Sequence, residues 1–370
     1  MWARCRRAFP VRSMSDGRRP RVWVSQPLFD DVVAQLGEHF ELTTTQRVSA
    51  YSPAELAAQL APLDGALITL NERIGAAEIA AAPQLRAIAN VGVGYNNLDI
   101  DALSAAGILA SNTPDVLTET TADLGFALLM ATARRITESE RWLRDGQWGQ
   151  WSFKTMLGAD IHGSTLGILG MGRIGQGIAR RGAHGFGMRV LYHNRSPLPA
   201  ATEQALGARY VDFETLLAQS DHLVLVLPYT RDSHHIIDAA ALGKMRATAT
   251  LVNIARGGIV DELALADALA NGRLAGAGLD VYEGEPHVRP ELLALNNVVL
   301  TPHIGSASLA TRRAMVQLAV DNLIAALGKG PHAGNPPSAL NADAVAAAKR
   351  GGTGVDAKET GVTGSISTKR

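Results

Sequence analysis

The sequence predicts an α/β protein built from two parallel β-sheets, each covered by helices. Two observations carry that prediction. Short apolar runs rich in Val, Ile and Leu alternate with longer stretches of helical period along most of the 370 residues, the pattern of buried parallel strands joined by crossover helices. One such run leads directly into a glycine-rich turn, Gly170, Gly172 and Gly175, and then into a helix. The length and the 46% hydrophobic content suffice for two domains with separate cores.

Taken in chain order, residues 1–20 stand apart. Arg4, Arg6, Arg7, Arg12, Arg18 and Arg19 face only Asp16, and no apolar period links them. This reads either as an organellar transit peptide or as an upstream extension with Met14 as the working start, and in both cases as disordered. Strands of a first unit are expected at 21–24, 65–70, 86–90 and 107–110, with helices such as 27–36 and 53–60 between them. A long helical pattern from Thr118 to about Arg144 reads as a bridge to the second unit, followed by a Trp- and Gly-rich loop, 146–163.

The second unit is expected to contribute strands at 165–169, 189–192, 222–227, 250–253, 276–280 and 298–300, six in all, enough for a complete dinucleotide-binding sheet. A last helix, 308–327, leads back to the first unit. The expected organisation is therefore 21–117 with 309–342 as one domain and 118–308 as the other. From Asp343 to residue 370 the chain is rich in Ala, Gly, Thr, Ser and Lys without aromatics, and it reads as a disordered tail.

Composition narrows the function classes. Thirty-five basic side chains balance thirty-five acidic ones, so no global field draws the protein to nucleic acid or to an anionic membrane. The single cysteine, Cys5, cannot form an intramolecular disulfide, which suits a reducing compartment such as the cytoplasm. No run reaches the roughly 18 to 20 apolar residues that span a bilayer.

The glycine-rich turn is the first motif that carries chemistry. In the spacing GxGxxG, the first glycine permits a tight turn, the second lets the backbone approach a pyrophosphate, and the third lets helix and strand pack closely. Arg173 and Ile174 lie between the second and third, where the helix N-terminus offers free N–H groups to phosphates. About twenty residues on, the position where a carboxylate would bind the ribose of NAD reads His193, Asn194, Arg195, Ser196. A guanidinium and a hydroxyl can hold a 2′-phosphate that a carboxylate would repel. The expected cofactor is therefore NADP, with NADPH preferred over NADH. The competing reading of Arg195 is a solvated surface charge.

Three charged residues follow separate strands of the second unit: Arg256, Glu285 and His303. In a doubly wound sheet such strand ends converge. Reduction of a 2-oxo acid needs a cation for the carboxylate and ketone and a proton donor for the developing alkoxide, which Arg256 and His303 supply. Glu285 beside His303 would orient the ring and favour imidazolium. Taken singly, His303 reads as an ordinary histidine, Arg256 as a structural ion pair and Glu285 as a solvated charge. Their joint occurrence behind a phosphate loop favours catalysis.

The segments TLGILGMGRIGQGIA (165–179), VNIARGGIVDE (252–262), GAGLDVYEGEP (276–286) and LTPHIGS (300–306) resemble those of the D-2-hydroxyacid dehydrogenase family, in its glyoxylate/hydroxypyruvate reductase and 2-ketogluconate reductase branch. The resemblance covers residues 21–340. It implies a Rossmann-like doubly wound domain plus a smaller flavodoxin-like one, with the active site in the cleft between them. It implies that Arg256 binds the substrate carboxylate and carbonyl, that His303 is the general acid with Glu285 as partner, and that Asp280 contacts the nicotinamide carboxamide.

NVGVGY (90–95) resembles the family's substrate loop, in which N–H groups near Val93 and Gly94 grip the carboxylate. Thr121, Pro228, Ile254, Ala255 and Gly305 match positions lining the cofactor. Trp148 reads as a packing or interface residue. The resemblance places the loop containing it in a homodimer contact, with Trp151 reaching the partner's substrate pocket.

The remaining histidines carry no expected role. His234 and His235 read as structural, His162, His184 and His287 have no partner that spacing identifies, and no metal site is expected. The leading expectation is NADPH-dependent reduction of glyoxylate, hydroxypyruvate or a related 2-oxo acid. Alternatives are a 2-ketogluconate or aryl-pyruvate reductase and, in another class, a nucleotide-sensing corepressor. A phosphoglycerate dehydrogenase-type regulatory domain has no counterpart in the tail.

Overall fold

The computed structural model describes residues 18–352. They form two compact units, one comprising residues 18–113 and 313–352, the other 114–312. The first contains β1 (Arg21–Val24), β2 (Glu41–Thr43), β3 (Gly65–Ile68), β4 (Ala87–Asn90) and β5 (Leu109–Ser111), all parallel in the order β2-β1-β3-β4-β5.

The second unit contains β6 (Thr165–Leu169), β7 (Arg189–His193), β8 (Ala208–Tyr210), β9 (His222–Leu225), β10 (Thr250–Asn253), β11 (Gly276–Leu279) and β12 (Val298–Leu300). These also run parallel, in the order β12-β11-β10-β9-β6-β7-β8. The order reverses between β6 and β9, so the glycine turn after β6 lies at the switch point where open α/β sheets bind ligands.

Both sheets are buried on both faces, which is why their strands read as continuous apolar runs. Val22, Val24 and Leu67 pack with Val316, Val320 and Leu323 on one face of the first sheet, while Trp23, Ile68 and Ile88 pack with Leu56, Leu60 and Leu103 on the other. The second sheet divides likewise: Leu191, Leu223, Leu225 and Leu279 face one core, Ile168, Val190, Tyr192 and Val224 the other.

Four expectations need correction. The sheets hold two further strands, β2 and β8, so the second has seven strands and not six. Each is a three-residue edge strand, ELT or ARY, too short and too polar to show a period. The long helical pattern is two helices, Thr118–Ala133 and Ile136–Arg144, separated by Arg135 at φ 53°. The Ala133 carbonyl accepts the N–H of Ala159 at 2.8 Å, so a distant loop closes the first helix without any local stop signal.

The expected disordered tail instead begins with a helix, Ala342–Gly352, in which Val345 is buried. Asn341 anchors it, accepting from the Ala110 N–H and donating to the Ile108 carbonyl, both at 2.9 Å. Finally, Arg18 and Arg19 are bonded to the first unit. Arg18 pairs with the buried Asp64 at 2.7 Å, and Arg19 donates to the Gly37 and Glu38 carbonyls. The rest of the N-terminal extension, Cys5 included, and the chain beyond 352 lie outside the described residues.

Candidate active site

The turn after β6 is shaped by contacts that a side chain would block. Gly170 holds φ 102°, and a Cβ there would lie 2.8 Å from the Val226 carbonyl. At Gly175 a Cβ would meet the Gly170 oxygen at 2.3 Å, so the helix Arg173–Arg180 can seat on the turn only with glycine there. A Cβ at Gly172 would meet nothing within 4 Å. That open position, with no side chain capping the helix, fits a pyrophosphate carried on the first helical N–H groups. Ile174 lies in the first turn, and Arg173 pairs on the surface with Asp115 at 2.6 Å.

At the tip of β7 the side chains divide into anchored and free. Asn194 accepts the Met171 N–H at 2.7 Å, tying the strand end to the phosphate turn. His193 bonds the Val211 carbonyl and stacks on Tyr210. Arg195 and Ser196 are exposed, and among the described residues no carboxylate pairs with Arg195. The geometry leaves a guanidinium and a hydroxyl beside the position where an adenosine ribose lies in this fold.

His303 and Glu285, eighteen residues apart in sequence, meet at 2.8 Å between Nδ1 and Oε2. The carboxylate selects the tautomer with the proton on Nδ1, leaving Nε2 to face a ligand. The second oxygen of Glu285 accepts the Tyr282 N–H at 2.9 Å. Burial works to raise the Glu285 pKa, but the hydrogen bond and charge of His303, the Tyr282 N–H and Arg256 hold it below the ordinary range.

Arg256 is partly buried, donating to the Ala255 carbonyl at 2.7 Å. Burial pushes its pKa down against the opposing charge of Glu285, yet a guanidinium so shifted stays protonated at neutral pH. Gly257 explains how this cation comes near Glu285. A Cβ there would lie 1.8 Å from the Tyr282 carbonyl carbon, so only glycine lets the turn after Arg256 press against the backbone leading to Glu285.

Asp280 is fully buried at the end of β11 and holds the loop that carries His303. Its carboxylate accepts from the Thr301 hydroxyl at 2.6 Å and from the N–H groups of Ile304 and Gly305, both at 2.8 Å, while its carbonyl accepts the His303 N–H at 2.9 Å. His303 is thereby kept at φ 52°, a left-handed conformation that side chains with a Cβ disfavour. Thr121 and Gly305 adjoin that carboxylate, and Ile254 and Ala255 are buried, whereas Pro228 is exposed.

In the first unit, the loop after β4 points its carbonyls inward. Gly92, Val93 and Gly94 accept from the Thr113 N–H, Asn112 Nδ2 and Asn90 Nδ2 respectively, at 2.8–3.0 Å. The N–H groups of Val93 and Gly94 find no partner among the described residues. Two adjacent free donors make a site for a carboxylate. Trp151 stands 69% exposed in the second unit, edge-on to Phe153.

Sequence reasoning missed the supports of these groups. Asn253 bridges the Arg256 turn by accepting the Ala255 N–H and donating to the Arg256 carbonyl. Buried Glu262 accepts the Glu283 N–H at 2.7 Å. Both lie inside the quoted segment 252–262, and being polar neighbours of apolar runs is the only signal they give. The structure also brings His234, His235 and Glu283 together, with donor atoms all within 4.8 Å of one another. Glu283 is 48 residues from His235, which no spacing rule reveals.

Comparison with known proteins identifies the family. Residues 126–305 match the family model for the D-isomer specific 2-hydroxyacid dehydrogenase, NAD binding domain. A glyoxylate reductase of Thermococcus kodakarensis is 44% identical over 337 residues, covering 90% of this chain and 99% of that protein. Glyoxylate/hydroxypyruvate reductase B of Klebsiella pneumoniae is 43% identical over 310 residues, covering 84% and 95%. The NADPH-dependent glyoxylate/hydroxypyruvate reductase of Sinorhizobium meliloti, crystallised with NADP and malonate, matches with a TM-score of 0.76 at 36% identity, covering 88% of this chain and 98% of that one.

Proposed function

The chain belongs to the D-isomer specific 2-hydroxyacid dehydrogenase family and is an NAD(P)-dependent oxidoreductase, and from that premise we propose that it reduces glyoxylate, hydroxypyruvate or a closely related 2-oxo acid with NADPH. The observation that carries the reading is the 2.8 Å bond between His303 Nδ1 and Glu285. It poises Nε2 as the proton donor to a developing alkoxide.

A nicotinamide dinucleotide, when bound, would supply the hydride. Everything else falls to side chains and backbone of this chain. Arg256 neutralises the substrate carboxylate and polarises the ketone. In the first unit, the N–H groups of Val93 and Gly94, without partners among the described residues, offer donors suited to a carboxylate. His303 releases its proton from Nε2 as the C2 oxygen gains charge, and Glu285 orients the ring through Nδ1.

The likeness to the NADPH-dependent Sinorhizobium meliloti reductase and the guanidinium of Arg195, which no carboxylate pairs among the described residues, support NADPH as the reductant. The test is a kcat/KM panel of glyoxylate, hydroxypyruvate, 2-ketogluconate and aryl pyruvates with both cofactors. Arg195→Ala should lose about 10- to 100-fold with NADPH, the equivalent of one or two charge-assisted hydrogen bonds, and little with NADH. A wild-type preference for NADH would sink the cofactor reading, and inactivity toward every 2-oxo acid would sink the reaction.

The exposed apolar side chains Trp148, Trp151, Phe153 and Leu157 support a homodimer in which Trp151 meets the partner's substrate. A monomeric mass by light scattering would refute it.

A further inference from the structure

One cluster of ligating side chains takes no part in the chemistry above. His234 and His235 follow the Pro228 loop, and Glu283 follows β11; one ring nitrogen or carboxylate oxygen from each lies within 4.8 Å of the other two. His235 Nε2 stands 3.2 Å from Glu283 Oε1. The two rings lie face to face with centroids 3.9 Å apart.

Backbone geometry creates this arrangement. Adjacent residues of an extended chain point to opposite sides, but His235 holds φ 49°, which brings its ring onto that of His234. The Gly258 carbonyl takes the His235 N–H at 2.8 Å and stands 3.1 Å from His234 Nδ1, and the Tyr229 hydroxyl stands 3.1 Å from the same nitrogen. A ring nitrogen facing a carbonyl carries the proton, so the His234 lone pair is on Nε2. This is the carbonyl-supported tautomer common among metal-ligating histidines.

Glu283 is held with equal care. Its N–H is bonded to buried Glu262, and Arg289 lies 3.7 Å from Oε2, which leaves Oε1 on the histidine side. The side chains of His235 and Glu283 are each about a third exposed, open to an ion from solvent.

We propose that His234, His235 and Glu283 form a binding site for one borderline divalent transition-metal ion of the zinc class, with two imidazoles, one carboxylate and a remaining position for water. Two nitrogens and a carboxylate oxygen are the donor set such ions select. Tetrahedral bonds of about 2.1 Å space ligand atoms about 3.4 Å apart. The 4.8 Å span therefore closes by small side-chain rotations. Gly258 lies two residues after Arg256, and Glu283 two before Glu285. An ion here tethers the loops that present both, and turnover should fall as it binds.

The test is titration of the untagged, chelator-treated full chain with Co2+, followed by visible ligand-field absorption. The expected result is a band saturating at one Co2+ per chain and displaced by Zn2+. His235→Gly and Glu283→Gln should each weaken binding at least tenfold. The glycine variant suits the left-handed position, and far-UV circular dichroism checks its fold. Absence of the band, or a band that neither variant weakens, overturns the site.

Discussion

Two histidine–glutamate pairs grow from one short segment of this protein. His303 meets Glu285 at 2.8 Å and His235 meets Glu283 at 3.2 Å, and both histidines occupy left-handed backbone. Their settings differ. The His303 loop is clamped by buried Asp280 through three donors to its carboxylate and one to its carbonyl. The His235 turn is held by backbone bonds to Gly258 and Ile259 and by ring contacts to Tyr229, His234 and Glu283, with no buried carboxylate beneath it. A pair of residue types therefore does not define a site. A rigid, internally satisfied support suits proton transfer at a fixed point, and a looser one suits a ligand that sets its own geometry.

The largest effect should come from emptying the first pair. His303→Ala should lower kcat for reduction by roughly 10²- to 10⁴-fold, the range of a lost general acid, with KM changed far less. A loss confined to KM would make His303 a binding residue only.

Next in size is the clamp. Asp280→Ala strands the half-buried donors of Thr301 and Ile304 and the buried N–H of Gly305, and should cost about 3 kcal/mol of stability together with kcat. Thermal unfolding measures the first and steady-state kinetics the second. Unchanged stability would show that the loop holds His303 without Asp280.

A smaller effect distinguishes the carboxylates by pH. The folded pKa of Glu285 is depressed, so its stabilising contribution is present above the ordinary glutamate value of 4.5 and is lost as pH falls through the lower folded value. Burial instead raises Glu262, despite the Glu283 N–H and Arg289 acting to lower it. Glu285→Gln should therefore be less stable than the wild type near neutrality, and the gap should close in acid. A gap that widens in acid contradicts the assignment.

The smallest effect concerns the second pair. His235→Gly loses the 3.2 Å contact but relieves a left-handed conformation worth about 1–2 kcal/mol. The net stability change should be within about 1 kcal/mol, or roughly 2–4 °C in Tm for a unit of this size. A drop of 10 °C would show that the stacked pair is a structural keystone.

Much of this architecture was legible in advance, because parallel strands buried on both faces must be apolar throughout. All of β1, β6, β10 and β12 lie where the residue pattern put them. Edge strands β2 and β8 were not legible, since a strand paired on one side and short enough to be polar carries no period. Arg256, Glu285 and His303 were each visible as charges after apolar runs. The helix from residue 342 was hidden by low complexity and depends on Asn341 finding Ala110 and Ile108, over 200 positions away.

By itself, the sequence determined the alternation of strand and helix, the phosphate turn and the absence of a carboxylate at the tip of β7. These are local properties, set by side-chain volume, by glycine and by charge along the chain. Only the tertiary structure decided which glutamate faces which histidine, that Asp280 and Asn253 are supports, and that the Val93 and Gly94 N–H groups have no partners among the described residues. Hydrogen bonds depend on angles and distances between segments far apart in sequence. No periodicity encodes those, and they exist only once both sheets have packed.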